Sequence, residues 1–414
     1  MIKNASPSRE GLEDNRRYHS LDQLRGVMML LGLVIHSAVS FITVPRPTAW
    51  AYNDASTSVL FDILVFFIHV FRMPLFFLVA GFFTAYLYYR RNPWQMLTNR
   101  TARVALPFAL FLPILFPLIN SGSKFSIGGG VNGGWNAAIS YLSTPAGWYE
   151  NFRTMHLWFL YYLILFYAII ALAMPLIEKA TGSWAVTVGP RLGRFIHHPL
   201  GILMAISITF LTLLPMRAPG LDTETNFLVQ PKILLAYGVF VAFGWVLYLN
   251  RDRLDDFGAR AWPYFGTGFL LSCAYLAVAL SRQNMLAGKA LAAAAMWTLI
   301  YGFIGLFVRY FDHPKPLGRY LADASYWMYL VHIPVAVWVP GLMNGWQVHA
   351  VVKFSIVLIA MIVFSLATYH LFVRSTAIGA FLNGKRHPRA LPSLQEPAPQ
   401  SNSQSTTQAA PQTA

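Results

Sequence analysis

The 414-residue chain contains a single cysteine, Cys273, inside an apolar run. One cysteine forms no intrachain disulfide, and no Cys/His pattern builds a zinc framework, so no metal is expected. Charge is scarce too: Asp, Glu, Lys and Arg make up 11% of the chain, against about 25% in a soluble domain. The chain also lacks the short alternating segments, roughly 10 residues long, of a membrane barrel, and open sheet edges go unsatisfied in lipid. The first 19 residues are polar and show no small-residue cleavage site, so the first apolar run is expected to stay as an anchor rather than leave as a signal peptide.

What the chain has is apolar length, with 56% hydrophobic and 15% aromatic residues. Ten runs reach the roughly 20 residues needed to cross a bilayer: 20–43, 59–89, 100–120, 156–178, 197–215, 232–250, 262–281, 287–310, 320–341 and 349–373. The expected fold is all-α, a polytopic membrane protein of ten transmembrane helices. Residues 1–19 form a polar N-terminal segment, 20–385 one membrane domain, and 386–414 a tail rich in Pro, Gln, Ser, Thr and Ala, expected to be disordered.

The net charge of +15 would suggest nucleic acid in a soluble protein, but here the basic residues fall between apolar runs rather than on one patch, so no nucleic-acid partner is expected. Connections on one side carry twenty Lys and Arg, among them Arg16, Arg17, Arg90, Arg91, Arg251, Arg253, Arg374 and Lys385, against seven on the other. By the positive-inside rule both termini are expected to be cytoplasmic. The longest connection on the opposite side, 121–155, opens with a glycine-rich stretch and closes with Trp148, Tyr149 and Glu150. Aromatic faces there suit sugar rings and Glu150 suits hydroxyls; an interfacial aromatic belt is the plainer alternative.

Ionisable side chains inside spanning helices are costly and mark functional sites. Arg25 and His36 are 11 residues apart in the first run, about three helical turns and ~16 Å of rise, within ~20° of one face. Arg25 is placed to fix an anionic group entering from the cytoplasm, and His36 to take a proton from an attacking hydroxyl or to carry an acyl group. The structural alternatives are an Arg25 that snorkels or pairs with Asp22, and a His36 that only bonds a neighbouring helix. The second run carries Asp62, His69 and Arg72. Arg72 lies too deep to snorkel easily and needs a carboxylate such as Asp62 or Asp22, a wet cavity or an anionic ligand. Arg100 and Arg103, one turn apart, suit a phosphate or diphosphate of a nucleotide-bearing donor. His156 begins the fourth run and His332 lies mid-membrane in the ninth.

Together these stretches resemble acyltransferase family 3, a family of integral membrane proteins. The resemblance rests on Ser20-Leu21-Asp22-Gln23-Leu24-Arg25-Gly26 followed by His36, Phe71-Arg72-Met73-Pro74-Leu75-Phe76-Phe77 through Gly81, Arg100-Thr101-Ala102-Arg103, His156-Leu157-Trp158-Phe159-Leu160, and Ser325 through His332. The residues around Ser20 to His36 and the closing Tyr369-His370-Leu371 and Asn383-Gly384-Lys385-Arg386 are most similar to the glucan biosynthesis protein C branch. The resemblance implies transfer of an acyl group from a cytoplasmic acyl-CoA to a carbohydrate at the outer face of the bacterial inner membrane; the branch is associated with succinylation of periplasmic glucans. It places the family's arginine-histidine motif on Arg25 and His36 and its paired arginines on Arg100 and Arg103. The resulting expectation has His36, Arg25 and Arg72 as catalytic, Arg25, Arg100 and Arg103 on acyl-CoA (with succinyl-CoA the named candidate), and Trp148, Glu150, His156 and His332 on the acceptor. The competing reading is a proton-coupled secondary transporter relaying through Asp62, His69, Arg72 and His332.

Overall fold

A computed structural model describes residues 18–44, 50–181, 184, 188–281, 283–313 and 316–389. Residues 1–17 and 390–414, most of the expected N-terminal segment and tail, lie outside the described residues. Among those described there is no strand. The long helices are α1 (His19–Ala38), α2 (Val59–Arg90), α3 (Pro93–Ile127), α4 (Trp158–Thr181), α5 (Pro199–Leu213), α6 (Pro231–Leu249), α7 (Ala261–Ser281), α8 (Met285–Phe311), α9 (Pro316–Leu342) and α10 (Ala350–Thr368). Their starts follow local chemistry. Ser58 and Asn92 cap α2 and α3 through backbone N–H groups two and three residues on, and Pro93, Pro199 and Pro231 occupy first turns, where no donor is needed.

Eight of these helices, α1 to α4, α6 to α8 and α10, are long and apolar enough to cross a membrane. The predicted run 197–215 contains α5, whose 15 residues are short for a span. The predicted run 320–341 lies in α9, which is 27 residues long but interrupted by Asp323, Ser325, His332 and two prolines. The connection 121–155 is not bare loop. α3 runs on to Ile127, and the helices Gly134–Ser143 and Pro145–Tyr149 follow. The reversal between them uses Gly129, Gly130 and Gly133, at φ of 100°, 59° and 153°, where a side chain would be strained.

α1 packs against α2, α8, α9 and α10. Its apolar stretch is 67% buried and that of α8 is 78% buried, whereas α7 reaches only 17%; α1 and α8 therefore form the centre and α7 the periphery. α2 and α6 lie almost backbone to backbone, because Gly81 faces the Val241 carbonyl and Gly244 faces the Leu78 carbonyl. Lipid supplies little hydrophobic drive between helices, so such close small-residue contacts supply packing instead. α1 and α2 run antiparallel, so Tyr18 at the start of α1 meets Phe82 and Tyr86 of α2, while Gly32 further along α1 meets Arg72.

Candidate functional site

Four stretches of chain meet around one cavity of about 60 Å³, room for a few water molecules. α1 contributes Gly32 and His36, α2 contributes Arg72 and Phe76, the turn before α4 contributes His156, and α9 contributes Tyr329 and His332. Helical spacing puts Gly32 and His36 on one face of α1, one turn apart; the bundle then sets Arg72 opposite them.

Arg72 has neither carboxylate that the sequence offers it. Asp62 instead accepts from Thr43 N at 2.8 Å and Thr43 Oγ1 at 2.7 Å, and Asp22 pairs with Arg25 at 3.4 Å. The guanidinium lies against Gly32, where an added Cβ would approach Nη1 to 2.7 Å. Its Nη2 touches the Met73 sulfur at 3.5 Å, while the buried Nε and Nη1 have no hydrogen-bond partner among the described residues. Two open cationic donors in a buried cavity form a receptor for an anion or for a carbonyl oxygen gaining charge. His69, by contrast, is exposed on α2 and bonds the Val65 carbonyl, away from this cavity.

The three histidines form a chain. His332 lies 5.2 Å from His36 and 5.5 Å from His156, ring centroid to centroid. Carbonyl oxygens only accept, so their contacts assign the tautomers. His332 Nδ1 donates to the Met328 and Tyr329 carbonyls at 3.0 and 2.8 Å, leaving Nε2 as the lone-pair nitrogen. His156 Nε2 donates to the Leu330 carbonyl at 3.2 Å, leaving Nδ1. Both lone-pair nitrogens, and His36 Nδ1, are buried without a partner among the described residues. The turn presenting His156 is held from outside, since Thr154 N and Oγ1 both donate to the Thr225 carbonyl at 2.7 Å. Met155 takes φ of 50° there, a left-handed conformation that an unbranched residue adopts only under constraint. The Tyr329 hydroxyl donates to the His156 carbonyl at 2.6 Å, fixing α9 to the same turn. Sequence reasoning misses Tyr329; its spacing of three from His332 is the one signal that could have found it. Among the described residues no group of three or more His, Cys, Asp or Glu is arranged to hold a metal ion.

Arg25 and Arg100 lie at the end of the bundle where α1 begins, and both reach Phe83 on α2. Arg25 Cζ sits 5.8 Å from its ring centroid, and Arg100 Nη2 donates to its carbonyl at 3.1 Å while stacking over Tyr167 at 5.2 Å. Arg103 takes a different neighbour, packing against Gly384 at the end of the helix Ala377–Asn383. Its place in a π turn, Thr101–Ala105, explains the difference, since extra residues per turn rotate position 103 away from the face that α spacing assigns. Trp148 donates to the Leu142 carbonyl at 2.9 Å within the connection before α4, and with Glu150 it stands exposed outside the cavity lining.

Residues 18–370 match the family model described as an acyltransferase domain, acyltransferase family 3, which is most of the chain. The chain is 23% identical to the glucans biosynthesis protein C of Salmonella schwarzengrund over 390 residues, covering 89% of this chain and 95% of that relative. A shorter stretch of 99 residues is 32% identical to the protein of that name from Salmonella paratyphi B, covering 24% of this chain and 25% of the relative. No solved structure matches significantly. With a helical membrane bundle, a cavity lined by imidazoles and a guanidinium with open donors, and a family match across that bundle, the chain belongs to acyltransferase family 3 and is a multi-pass membrane acyltransferase.

Proposed function

We propose that the protein moves an acyl group from a cytoplasmic acyl-CoA to a carbohydrate hydroxyl at the outer face of the bacterial inner membrane, with all ten long helices spanning and both termini cytoplasmic. The observation that carries this reading is the cavity where Arg72 and three histidines hold unpartnered polar atoms. The donor is read as entering where Arg25 and Arg100 converge, with Arg103 nearby, because coenzyme A is polyanionic and these are basic groups at one end of the bundle. From Arg25 to His36 the helix rises only ~16 Å, a span that an extended pantetheine arm bridges.

In the reaction, His36 takes the proton of the acceptor hydroxyl as that oxygen attacks the thioester carbonyl carbon. Arg72 donates to the carbonyl oxygen as it gains charge. The carbon–sulfur bond then breaks, and the coenzyme A thiolate takes the proton back from His36, so atoms and charge balance. His332 lies beside the His36 imidazole and His156 beyond His332, and all three line the same cavity. The name carried by the relatives supports a glucan as acceptor, and the cation of Arg72 suits the free carboxylate of a succinyl donor equally well. Asp62, needed by the transporter reading, is occupied with Thr43 and stands outside the cavity lining.

His36→Ala tests the proposal. Cells producing the variant at normal level should lose the acyl groups that wild-type cells place on envelope carbohydrate, read by mass spectrometry of periplasmic and lipid-linked glycans. Acylation that persists would refute it.

A further inference from the structure

His332 and His156 have their rings tied to backbone carbonyls, whereas His36 has no hydrogen bond among the described residues and its Nδ1 is buried without a partner. Something else must hold that ring at a usable angle. A second ring, that of Trp50, stacks on His36 at 5.7 Å between centroids and 27° between planes. Trp50 lies on none of the long helices. It belongs to the connection between α1 and α2, and the molecule fixes that connection at several points.

Trp50 Nε1 donates to Ser40 Oγ at 2.8 Å, and the Ser40 carbonyl accepts from Asp54 N at 2.8 Å. The Asp54 carboxylate bonds Lys353 of α10 at 2.7 Å, with both side chains only 2% exposed. It also accepts from Ser56 N at 2.8 Å and from the Tyr52 hydroxyl at 3.1 Å. Burial, together with the neighbouring carboxylate, pushes the Tyr52 phenol up, so it stays a neutral donor. Ser58 N closes the return onto the Phe41 carbonyl at 2.9 Å. A buried ion pair adds little net stability because desolvation opposes the attraction, and its best-attested use is to set register. Here the register in question is that of a strap lying directly on the proposed base.

We infer that Trp50 is a positioning residue for His36, and that the buried Asp54–Lys353 pair clamps the strap 50–58 so that the indole holds the imidazole against His332. The inference rests on the proposed role of His36. It assigns a function to a connection outside the membrane helices and to a lysine distant along the chain.

Two measurements test it. The first needs no acyl transfer: diethylpyrocarbonate labels accessible neutral imidazoles, and the rate at which purified protein acquires the label on His36 is read by peptide mass spectrometry. Trp50→Ala should speed labelling several-fold, the double variant Asp54→Asn/Lys353→Met should do the same by releasing the strap without stranding a charge, and Trp50→Phe should restore the wild-type rate. Equal rates in all four proteins would overturn the inference. The second compares carbohydrate acylation in cells: Trp50→Ala should lower it by about 10- to 100-fold, the scale of a misplaced catalytic group, with Trp50→Phe recovering most of it. If His36→Ala abolishes acylation while Trp50→Ala matches wild type, the strap has no positioning role and the acyltransfer site stands. If His36→Ala still acylates, the site assignment fails, and the labelling rates alone then decide whether Trp50 holds that ring.

Discussion

Pro334 leaves the Leu330 carbonyl of α9 without its helical donor, and His156 fills the vacancy with Nε2 at 3.2 Å. Proline has no N–H, so the carbonyl four residues earlier has no backbone partner. That defect recruits a side chain from another part of the bundle and, in doing so, sets the His156 tautomer. Pro74 stands in the same relation to Arg72 as Pro334 does to His332, two residues after the polar side chain in each case.

Replacing Pro334 by Ala returns an N–H to the Leu330 carbonyl, which then competes with His156. Helix propensity favours the variant by up to about 3 kcal/mol, so its melting temperature should match or exceed that of wild type. Acylation should nonetheless fall by about 10-fold or more, since His156 loses its anchor. A stable variant of unchanged activity would separate His156 from the chemistry; thermal unfolding of purified protein alongside glycan mass spectrometry reads both quantities.

Arg72 carries the open donors, and Gly32 makes the space for them. Arg72→Lys should lower the transfer rate by about 10²- to 10³-fold, the cost of losing an oxyanion donor. Gly32→Ala should mimic a milder version of this by displacing Nη1, while leaving protein level unchanged. Transfer rates in membranes check both, and a Gly32→Ala protein with wild-type kinetics would show that the guanidinium does not need its present position.

Arg100 is expected to act on donor binding rather than on chemistry. Arg100→Ala should raise the donor KM by about tenfold, equivalent to one charged hydrogen bond, with kcat little changed. The same variant should flatten the salt dependence of donor binding. A fall in kcat with constant KM would place Arg100 in the reaction instead.

Gly81 has a packing role that is separable from catalysis. A Cβ there meets the Val241 backbone, and backbone cannot turn aside as a side chain can. Gly81→Leu should therefore cost at least the ~1–3 kcal/mol of an overpacked core and lower the yield of monodisperse protein on size exclusion. Normal yield and stability would mean that α2 and α6 can move apart.

Much of the site is legible in the amino-acid sequence. The 11-residue spacing puts Arg25 and His36 on one face, and the expense of a mid-membrane arginine singles out Arg72. Their place in the spanning runs and the family resemblance mark His156 and His332, and the structure brings both to the cavity of Arg72 and His36. Trp148 and Glu150 stand out only because they end a long connection, yet that connection folds into its own helices and leaves them exposed. Arg103 departs from Arg100 because a π turn, invisible to α periodicity, intervenes. Trp50, Asp54 and Lys353 have no local signal at all, as the two ends of the ion pair are 299 residues apart.

Hydropathy is enough to establish an all-helical membrane protein and most of its helices, because a bilayer demands long apolar runs with every backbone bond made internally. Periodicity is enough to say which residues share a face within one helix. Which helices become neighbours depends on side-chain complementarity between segments hundreds of residues apart, and no local rule encodes that. Folding alone decided that Arg72 would pair with neither Asp62 nor Asp22, that His156 would find a carbonyl orphaned by a proline, and that a strap pinned by a buried ion pair would lie across His36.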